Sequence, residues 1–288
     1  MRVGKFFRSM LPMDVRNPQE TLFKHLKEEV AIEPKLDGVR CQLHKSGDSI
    51  ILYTRKRQDI TQKLPEVVGS VRTWPNDVIL DGELLSLGKD GLLGFNEINK
   101  KIKSGEGNGI FLTFDILYLD DPIYYLPFWE RRELLLSMPV VDHVRPVPQI
   151  VTKSSAELKQ AYVSLIRKGF EGIIIKDLHV PYYFNRTWYM KRLKPVRTLD
   201  LKVTSVAKGN GNYFVYDVSS LEGLIGKITV KGNRLSIGEI VEVKYDKFIP
   251  SEAYPLGKSL RFAAFVRRRK DKTTPDAVGD KVAEWVHL

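Results

Sequence analysis

Short apolar runs, separated by polar and turn-forming segments, follow the first two thirds of the chain and predict a mixture of strands and helices. Runs rich in β-branched and aromatic residues have the length of strands at residues 50–54, 78–80, 111–118 and 172–176. Helices are predicted at residues 22–30, 97–103, 128–136 and 156–168. Ser154 or Ser155 can cap the last helix, and Gly169 stands just beyond its end. The glycine-rich segment 104–109 is predicted to be a loop.

The pattern changes near residues 195–198, after which only short strands with turn signals between them are predicted. These strands are expected at residues 201–207, 213–218, 227–230, 240–248 and 259–267. Five short strands in about 90 residues suit a small barrel, and the OB-fold is the five-stranded barrel most often found with nucleic acid. We therefore predict an α+β domain at residues 1–196, a basic hinge, and a small all-β domain at residues 197–288.

Composition narrows the class of protein. The 288 residues are 43% hydrophobic and 28% charged, which excludes disordered, collagen-like and coiled-coil chains. The single cysteine, Cys41, cannot form an internal disulfide, and this suits a reducing compartment. The sequence lacks an apolar run of the roughly 20 residues that span a bilayer, and its N-terminus lacks the apolar segment of a signal peptide. We expect a cytoplasmic protein without a membrane partner.

The charge balance favours a polyanionic partner. Lysine and arginine number 46 against 35 acidic residues, which leaves a net charge of +11. Residues 191–202 hold five basic side chains and one acid, and residues 261–272 hold six basic side chains and one acid. A basic surface of this kind attracts nucleic acid before membrane.

Chemistry-bearing residues recur in short strings along the chain. A lone Lys-x-Asp-Gly is ordinary turn chemistry and indicates little by itself. Here six strings occur in order: Glu33-Pro34-Lys35-Leu36-Asp37-Gly38-Val39-Arg40, Asp81-Gly82-Glu83-Leu84 after an apolar strand, Phe114-Asp115, Glu171 to Lys176 at opposite ends of one strand, Arg192-Leu193-Lys194, and Arg267 to Lys272. The set, rather than any one member, carries the functional hypothesis.

This set resembles the covalent nucleotidyltransferase superfamily and, within it, the ATP-dependent DNA ligases. The resemblance runs from about residue 31 to residue 272 and includes the stretches 53–61, 127–132 and 193–201. It implies an α+β fold, with an ATP-grasp-like nucleotidyltransferase domain built on antiparallel sheets and followed by a small all-β OB-fold barrel. Only about 30 residues precede Glu33, so we expect a core-only form without an extra DNA-binding domain.

The resemblance assigns Lys35 as the nucleophile that forms a lysyl-adenylate. A free lysine is protonated and unreactive at neutral pH, and nearby cations would favour the neutral amine. We expect Lys176, Lys194 and a bound metal to supply those cations, and Asp37 to support the nucleophile turn. Glu83 and Glu171 are expected to hold Mg²⁺, with Mn²⁺ as a substitute, because hard oxygen ligands suit this ion. No zinc spacing is present among the histidines and Cys41.

The same resemblance assigns the remaining residues to ATP. Glu33 would read the adenine amino group, Phe114 would stack on the base, and Arg40 and Arg55 would hold the sugar or the 5′-phosphate of a nick. The α-phosphate would be surrounded by Lys176, Arg192 and Lys194. The barrel would contribute Arg267, Asp271 and Lys272, which orient the pyrophosphate.

Two positions depart from the family pattern. Arg192 stands where a lysine is usual, and Arg57 stands where a glycine is common. We expect Lys194 to be the more reliable match of the pair that ends before Pro195, while Arg57 could add a phosphate contact or face water.

The leading hypothesis is ATP- and Mg²⁺-dependent sealing of a 5′-phosphate/3′-hydroxyl nick in duplex DNA by a monomer, with no protein partner inferred. An mRNA-capping guanylyltransferase shares the lysine motif and the barrel, but Glu33 and the stretches 53–61 and 127–132 are ligase-like. An RNA ligase usually lacks this type of barrel. A non-catalytic nucleic-acid-binding protein would be expected to lose the lysine or the acids, whereas Lys35, Glu83 and Glu171 are all present.

Overall fold

The computed structural model describes residues 1–15, 29–89, 91–106, 108–195, 197–232 and 235–278. The chain divides into two compact units, the first at Met1–Lys194 and the second beginning at Pro195. The predicted helix at residues 22–30 falls almost wholly outside the described residues, and its last residue, Val30, begins a strand instead. Among the described residues, none of the helices is long and apolar enough to cross a membrane.

The first unit alternates strands with four described α-helices and one short 3₁₀ turn at Thr61–Lys63. Its strands are β1 (Leu11–Asp14), β2 (Val30–Pro34), β3 (Val39–Ser46), β4 (Ser49–Thr54), β5 (Val78–Gly88), β6 (Gly91–Leu93), β7 (Gly109–Leu119), β8 (Asp121–Pro122), β9 (Val144–Pro146), β10 (Ile150–Thr152), β11 (Ile173–Asp177) and β12 (Arg186–Leu193). Its helices are α1 (Pro65–Arg72), α2 (Phe95–Ser104), α3 (Phe128–Ser137) and α4 (Ser155–Arg167).

Two sheets organise this unit. One sheet has the order β4-β3-β5-β7-β8, with β6 paired to the end of β5 and β9 paired to β7, and the other has the order β1-β12-β11-β2-β10. Most neighbours are antiparallel, whereas β1 with β12 and β7 with β9 run parallel. The predicted α+β class with antiparallel sheets is therefore confirmed.

Most of the predicted elements are found, and two of the differences matter for the site. Helix α4 has its cap at Ser154, whose hydroxyl accepts from the Glu157 amide at 3.3 Å, and Gly169 follows in the left-handed region at φ 88°. The motif Asp81-Gly82-Glu83 was expected after an apolar strand. It lies instead inside β5, because that strand is buried on both faces and continues to Gly88. Strands β2, β3 and β12 were not predicted.

The second unit consists of strands β13 (Arg197–Lys208), β14 (Tyr213–Ser220), β15 (Gly223–Lys231), β16 (Ile240–Tyr245), β17 (Phe248–Pro250), β18 (Lys258–Leu260) and β19 (Ala264–Arg268). Five of them form a sheet in the order β15-β14-β13-β16-β19, all antiparallel. The side chains of its core come from every strand of this sheet, including Val203, Tyr216, Ile228 and Val243, with Phe265 packed against them.

The predicted barrel needs one correction. Strand β15 approaches β18 and β19, but among the described residues no backbone ladder joins β15 to β19. Side-chain packing around the common core, rather than hydrogen bonding, brings the two edges of the sheet together.

Two strands predicted as continuous are each divided. The strand expected at residues 240–248 ends at Tyr245 and resumes as β17, and the strand expected at residues 259–267 is divided between β18 and β19. The second division contains Phe262 at φ 54°. This left-handed backbone, which is rare for an aromatic residue, turns the chain there and ends the extended conformation.

A buried ion pair ties α3 to the central sheet of the first unit. Arg131 is 1% exposed, and its Nε and Nη2 donate to the two carboxylate oxygens of Asp115 at 2.8 and 2.9 Å. The remaining nitrogen, Nη1, donates to the carbonyl oxygens of Leu126 and Val180. The guanidinium is therefore fully used inside the fold, where a missing partner would leave an uncompensated charge.

We expect Arg131→Met to lower the free energy of unfolding by about 3–5 kcal/mol, because it leaves Asp115 buried and unpaired. Urea unfolding of the full chain followed by circular dichroism measures the loss. Arg72→Met, at the exposed end of α1, is the matched control and should change stability by at most about 0.5 kcal/mol. Adding Asp115→Leu to Arg131→Met should recover much of the loss. Equal effects of the Arg131 and Arg72 variants would contradict this role.

Candidate active site

The site begins with two glycines that bring backbone segments unusually close. A Cβ on Gly38 would lie 2.2 Å from the Leu84 carbonyl oxygen, and one on Gly172 would lie 2.2 Å from the Leu193 carbonyl oxygen. Neither position can accept a side chain without displacing backbone. The Gly172 carbonyl also accepts from the Lys35 amide at 2.9 Å. The segment after β2 is therefore held between β5 and the segment that precedes β11.

The amine of Lys35 is bound by a carboxylate. Its Nζ lies 2.5 Å from Glu171 Oε2, and Lys194 Nζ lies 3.3 Å from the same oxygen. Burial alone would raise the pKa of Glu171, but the charges and hydrogen bonds of Lys35 and Lys194 outweigh it and hold that pKa at about 2. Glu171 is therefore ionised at neutral pH and joins two of the predicted catalytic lysines.

Lys176 serves a different carboxylate. Its ammonium lies 2.8 Å from Oε2 and 2.9 Å from Oε1 of Glu33, which is 1% exposed. Gln149 Nε2 donates to Oε1 at 3.1 Å, while Oε2 lacks a hydrogen-bond donor in suitable geometry. Lys176 is paired with Glu33 because the register of β2 with β11 places the two side chains as diagonal neighbours on one face. Its expected effect on the Lys35 amine stays a prediction.

Arg40 is bound within the opposite sheet. Its Nε and Nη2 donate to the two carboxylate oxygens of Asp81 at 2.7 and 2.5 Å, and its guanidinium carbon lies 4.6 Å from the centre of the Phe114 ring. Burial alone would lower the pKa of Arg40, but the charge and hydrogen bonds of Asp81 outweigh it and raise that pKa. The Tyr182 hydroxyl donates to Asp81 Oδ2 at 2.5 Å.

Glu83 lies directly opposite Arg40 across the β3–β5 ladder. Burial raises its pKa to about 7, against the opposing charges of Arg40 and Lys35. A carboxylate with this pKa gains more than an exposed one from an added cation. Among the described residues, no group of three or more histidine, cysteine or acidic side chains could hold a metal ion by itself. Magnesium commonly uses one or two carboxylates together with substrate phosphates, and Glu83 fits that use.

The family's first lysine position is occupied by Arg192, and the structure places its side chain on the pocket face of β12. Its Nε donates to Asp14 Oδ1 at 2.6 Å, and its Nη2 lies 2.5 Å from the same oxygen. The neighbouring Lys191 is 1% exposed and lies on the other face of the strand, because side chains alternate. Arg192 is thus the residue of this pair that faces the site.

The two sheets of the first unit line an open pocket of about 160 Å³. Every lining residue that the sequence singled out comes from a strand or from the segment next to one: Glu33, Lys35, Arg40, Arg55, Glu83, Phe114, Lys176 and Arg192. Leu11, Pro12, Ile174 and Met190 complete its apolar wall.

Two other residues that the sequence singled out, Asp37 and Arg57, are not among the described residues that line the pocket. Asp37 is absent from the described lining and lies beside Gly94, where an added Cβ would be 3.4 Å from its Oδ2. Arg57 has φ 65°, and its guanidinium carbon lies 5.3 Å from the centre of the Phe6 ring. A left-handed backbone explains why glycine suits position 57, and the Arg57 side chain is bound to the N-terminal segment.

The three residues predicted from the barrel lie in the second unit. Arg267 is exposed and its Nε donates to Glu242 at 2.6 Å, whereas Lys272 binds the buried carboxylate of Asp200. Asp271 receives two hydrogen bonds from Arg269, at 3.0 and 2.7 Å, which hold its pKa well below the usual range. Arg269 also donates to Asp200 at 2.7 Å. Arg269, rather than Arg267, therefore shares a network with Asp271 and Lys272.

Sequence reasoning missed three side chains that complete the site, Asp81, Gln149 and Tyr182, and in the second unit it missed Arg269. Asp81 and Arg269 stood within motifs that were already recognised, so position relative to the strand register could have found them. Gln149 and Tyr182 carry no local signal. They meet Glu33 and Asp81 from 116 and 101 residues away, and only the folded chain brings them there.

The family model for the ATP-dependent DNA ligase domain matches residues 9–194, well over half of the 288 residues. A probable DNA ligase of Nocardioides sp. is 31% identical over 94% of this chain, and a DNA ligase of Nanoarchaeum equitans is 30% identical over 95%. The chain spans 60% and 58% of the length of these two relatives.

Solved structures support the same fold. The ligase domain from M. tuberculosis LigD has a TM-score of 0.58 at 19% identity and is similar over 93% of this chain and 96% of that one. A Lig E DNA ligase also has a TM-score of 0.58, at 17% identity, over 91% of this chain and 98% of that one. With the family model covering the whole pocket-bearing unit from residue 9 onward, the chain belongs to the ATP-dependent DNA ligase family.

Proposed function

We propose that this protein seals nicks in duplex DNA that carry a 5′-phosphate and a 3′-hydroxyl, using ATP and a lysyl-adenylate intermediate. One observation carries the proposal: Lys35 lines an open pocket together with Glu33, Arg40, Glu83, Phe114 and Lys176. A primary amine, an aromatic face, acidic groups and cations converge there. These are the groups that nucleotidyl transfer to an amine requires.

In the first step, the lone pair of Lys35 Nζ attacks the α-phosphorus of ATP. A phosphorus–nitrogen bond forms, the bond from the α-phosphorus to the β-bridging oxygen breaks, and pyrophosphate leaves with that electron pair. The amine loses its proton to solvent. Glu171 holds the amine at the pocket, and because its pKa is about 2 it orients the nitrogen rather than serving as a strong base.

The pocket walls have distinct tasks toward the nucleotide. Phe114 offers its ring to the base, and Glu33 offers its carboxylate to the adenine amino group. Arg192 and Arg55 face the pocket as cations for the phosphates and sugar. Arg40 is already held by Asp81, so it presents its remaining donors in a fixed orientation.

Glu83 and Glu171 are the residues that would hold Mg²⁺, or Mn²⁺ in its place. The ion would neutralise charge on the triphosphate and on departing pyrophosphate. Glu171 already binds two lysines, so Glu83 is the carboxylate whose charge most needs a cation.

In the second step, an oxygen of the DNA 5′-phosphate attacks the AMP phosphorus, and the phosphorus–nitrogen bond to Lys35 breaks. In the third, the 3′-hydroxyl oxygen attacks the 5′-phosphate and AMP leaves as the phosphodiester forms. The net charge of +11 supports sequence-independent contact with the DNA backbone.

A gel assay on a labelled nicked duplex tests the function. With ATP and Mg²⁺ the full chain should join a 5′-phosphate nick and leave a 5′-hydroxyl nick unjoined, because only the phosphate can accept AMP. Lys35→Ala should reduce joining by at least about 1,000-fold, since it removes the nucleophile. Lys159→Ala, on exposed α4, is the matched lysine control. Joining of neither duplex by the wild-type chain would overturn the proposal.

Metal dependence should vary with pH. Since a metal ligand must be deprotonated, the Mg²⁺ concentration for half-maximal Lys35 adenylation should fall as the pH rises through about 7, where Glu83 titrates. Glu83→Gln should raise that concentration and flatten its dependence on pH. Adenylation followed by intact mass at pH 6 to 8.5 checks both results. An unchanged pH profile in the variant would exclude Glu83 as the titrating ligand.

A further inference from the structure

One buried hydroxyl connects two walls of the pocket that are far apart in sequence. Tyr182 is 3% exposed, and its hydroxyl lies 2.5 Å from Asp81 Oδ2. The Tyr182 hydroxyl oxygen also accepts a hydrogen bond from the Met10 amide at 2.7 Å. Met10 is 4% exposed and Asp81 is fully buried, so water does not compete for these bonds.

The direction of both hydrogen bonds is fixed by chemistry. An amide nitrogen can only donate, so the Tyr182 hydroxyl must accept from Met10 and direct its one proton to the carboxylate of Asp81. Burial and the charge of Asp81 raise the pKa of Tyr182, so the hydroxyl keeps that proton at all physiological pH values.

On one side, this hydroxyl acts through Asp81 on Arg40. Both carboxylate oxygens of Asp81 bind the Arg40 guanidinium, which lies over the Phe114 ring in the pocket. Removing the hydroxyl would leave Asp81 held by Arg40 alone. The carboxylate could then turn, and the guanidinium plane over the aromatic ring would turn with it.

On the other side, the hydroxyl holds the N-terminal segment. Met10 is followed by Leu11 and Pro12, which line the pocket. Arg40 Nη2 donates to the Met10 carbonyl oxygen at 3.4 Å, so Met10 is bound by Tyr182 through its amide and by Arg40 through its carbonyl. The side chains of Tyr182, Asp81 and Arg40 and the backbone of Met10 form a closed cycle of hydrogen bonds behind the pocket.

We propose that Tyr182 is a positioning residue for nucleotide binding. It fixes the position of the Arg40 guanidinium relative to the Leu11–Pro12 wall of the pocket. The role rests on the proposed function, because it assumes that the pocket takes ATP. Tyr182 itself lies behind the pocket lining and acts through Asp81 and Met10.

Isothermal titration calorimetry of ATP into Lys35→Ala protein tests this role without any turnover. Adding Tyr182→Phe should raise the Kd for ATP about tenfold, the cost of leaving one buried polar group unsatisfied. In the wild-type lysine background the same substitution should raise the KM for self-adenylation by a similar factor and change kcat less than about twofold, because a binding contact is lost.

Tyr183→Phe is the matched control. Its ring stacks on Tyr189 at 5.4 Å, and loss of its hydroxyl should leave Kd and KM unchanged. A Tyr182→Phe protein with wild-type Kd and KM would overturn the role, even if its melting temperature fell. Failure of Lys35→Ala protein to bind ATP would overturn the proposed function as well, and the two failures are therefore distinguishable.

A double-variant cycle separates positioning from general loosening. Arg40→Lys and Tyr182→Phe should each raise Kd, and together they should raise it at least about threefold less than the product of the single effects, since both act on one contact. Independent, multiplicative effects would contradict the coupling. If Tyr182→Phe fails to fold, hydrogen exchange of wild-type residues 9–14 decides: ATP should slow exchange there, and unchanged exchange would refute the link.

Discussion

An ionised side chain removed from water must have a partner, and this requirement organises the wall of the pocket. Asp81 is fully buried and binds Arg40 with both oxygens, while Glu33 is nearly as buried and binds Lys176. Breaking either pair would leave a buried charge alone, at a cost of several kcal/mol. The two sheets therefore hold their functional side chains in single orientations before any nucleotide enters.

The same requirement explains why an added cation would act mainly on one carboxylate of the site. Glu171 joins Lys35 and Lys194, so the proposed nucleophile is held by a group that stays ionised. Glu83 is buried beside Arg40 with a pKa near neutrality, about 7, so it is the carboxylate on which an incoming cation has the largest effect. Ion pairs thus fix the carboxylates of Asp81, Glu33 and Glu171, and Glu83 is left as the carboxylate whose pKa lies near neutral pH.

Much of the fold and of the site follows from local sequence. The apolar runs that became β4, β7 and β11 and the capped helix α4 carry their structure in composition and spacing. The motif residues around Lys35 converge because each lies in, or directly after, a strand. Strand β12, in contrast, is polar at half of its positions and pairs with β1 across a bulge. Its partners, rather than its own pattern, make it a strand.

What the sequence could not show is which charges pair. Lys176 lines the same pocket as Lys35 and is paired with Glu33, because the β2–β11 register decides which side chains share a face. Likewise, Arg269 rather than Arg267 joins Asp271 and Lys272, because Arg269 follows the end of β19 and its guanidinium contacts both Asp271 and Asp200, the carboxylate that Lys272 binds. Tyr182 and Gln149 reach their carboxylates across more than 100 residues. Long-range contacts of this kind have no local signature.

The intact mass of the protein tests most directly whether Lys35 is the nucleophile. The full wild-type chain and Lys35→Ala are incubated with Mg²⁺ and either ATP or GTP, and the starting mass is recorded. We predict that ATP adds one adenylyl group to the wild-type chain, that GTP adds nothing, and that the variant stays unmodified. A guanylyl adduct, an adenylyl adduct that persists in Lys35→Ala, or no adduct on wild-type protein that starts unmodified would contradict the assignment.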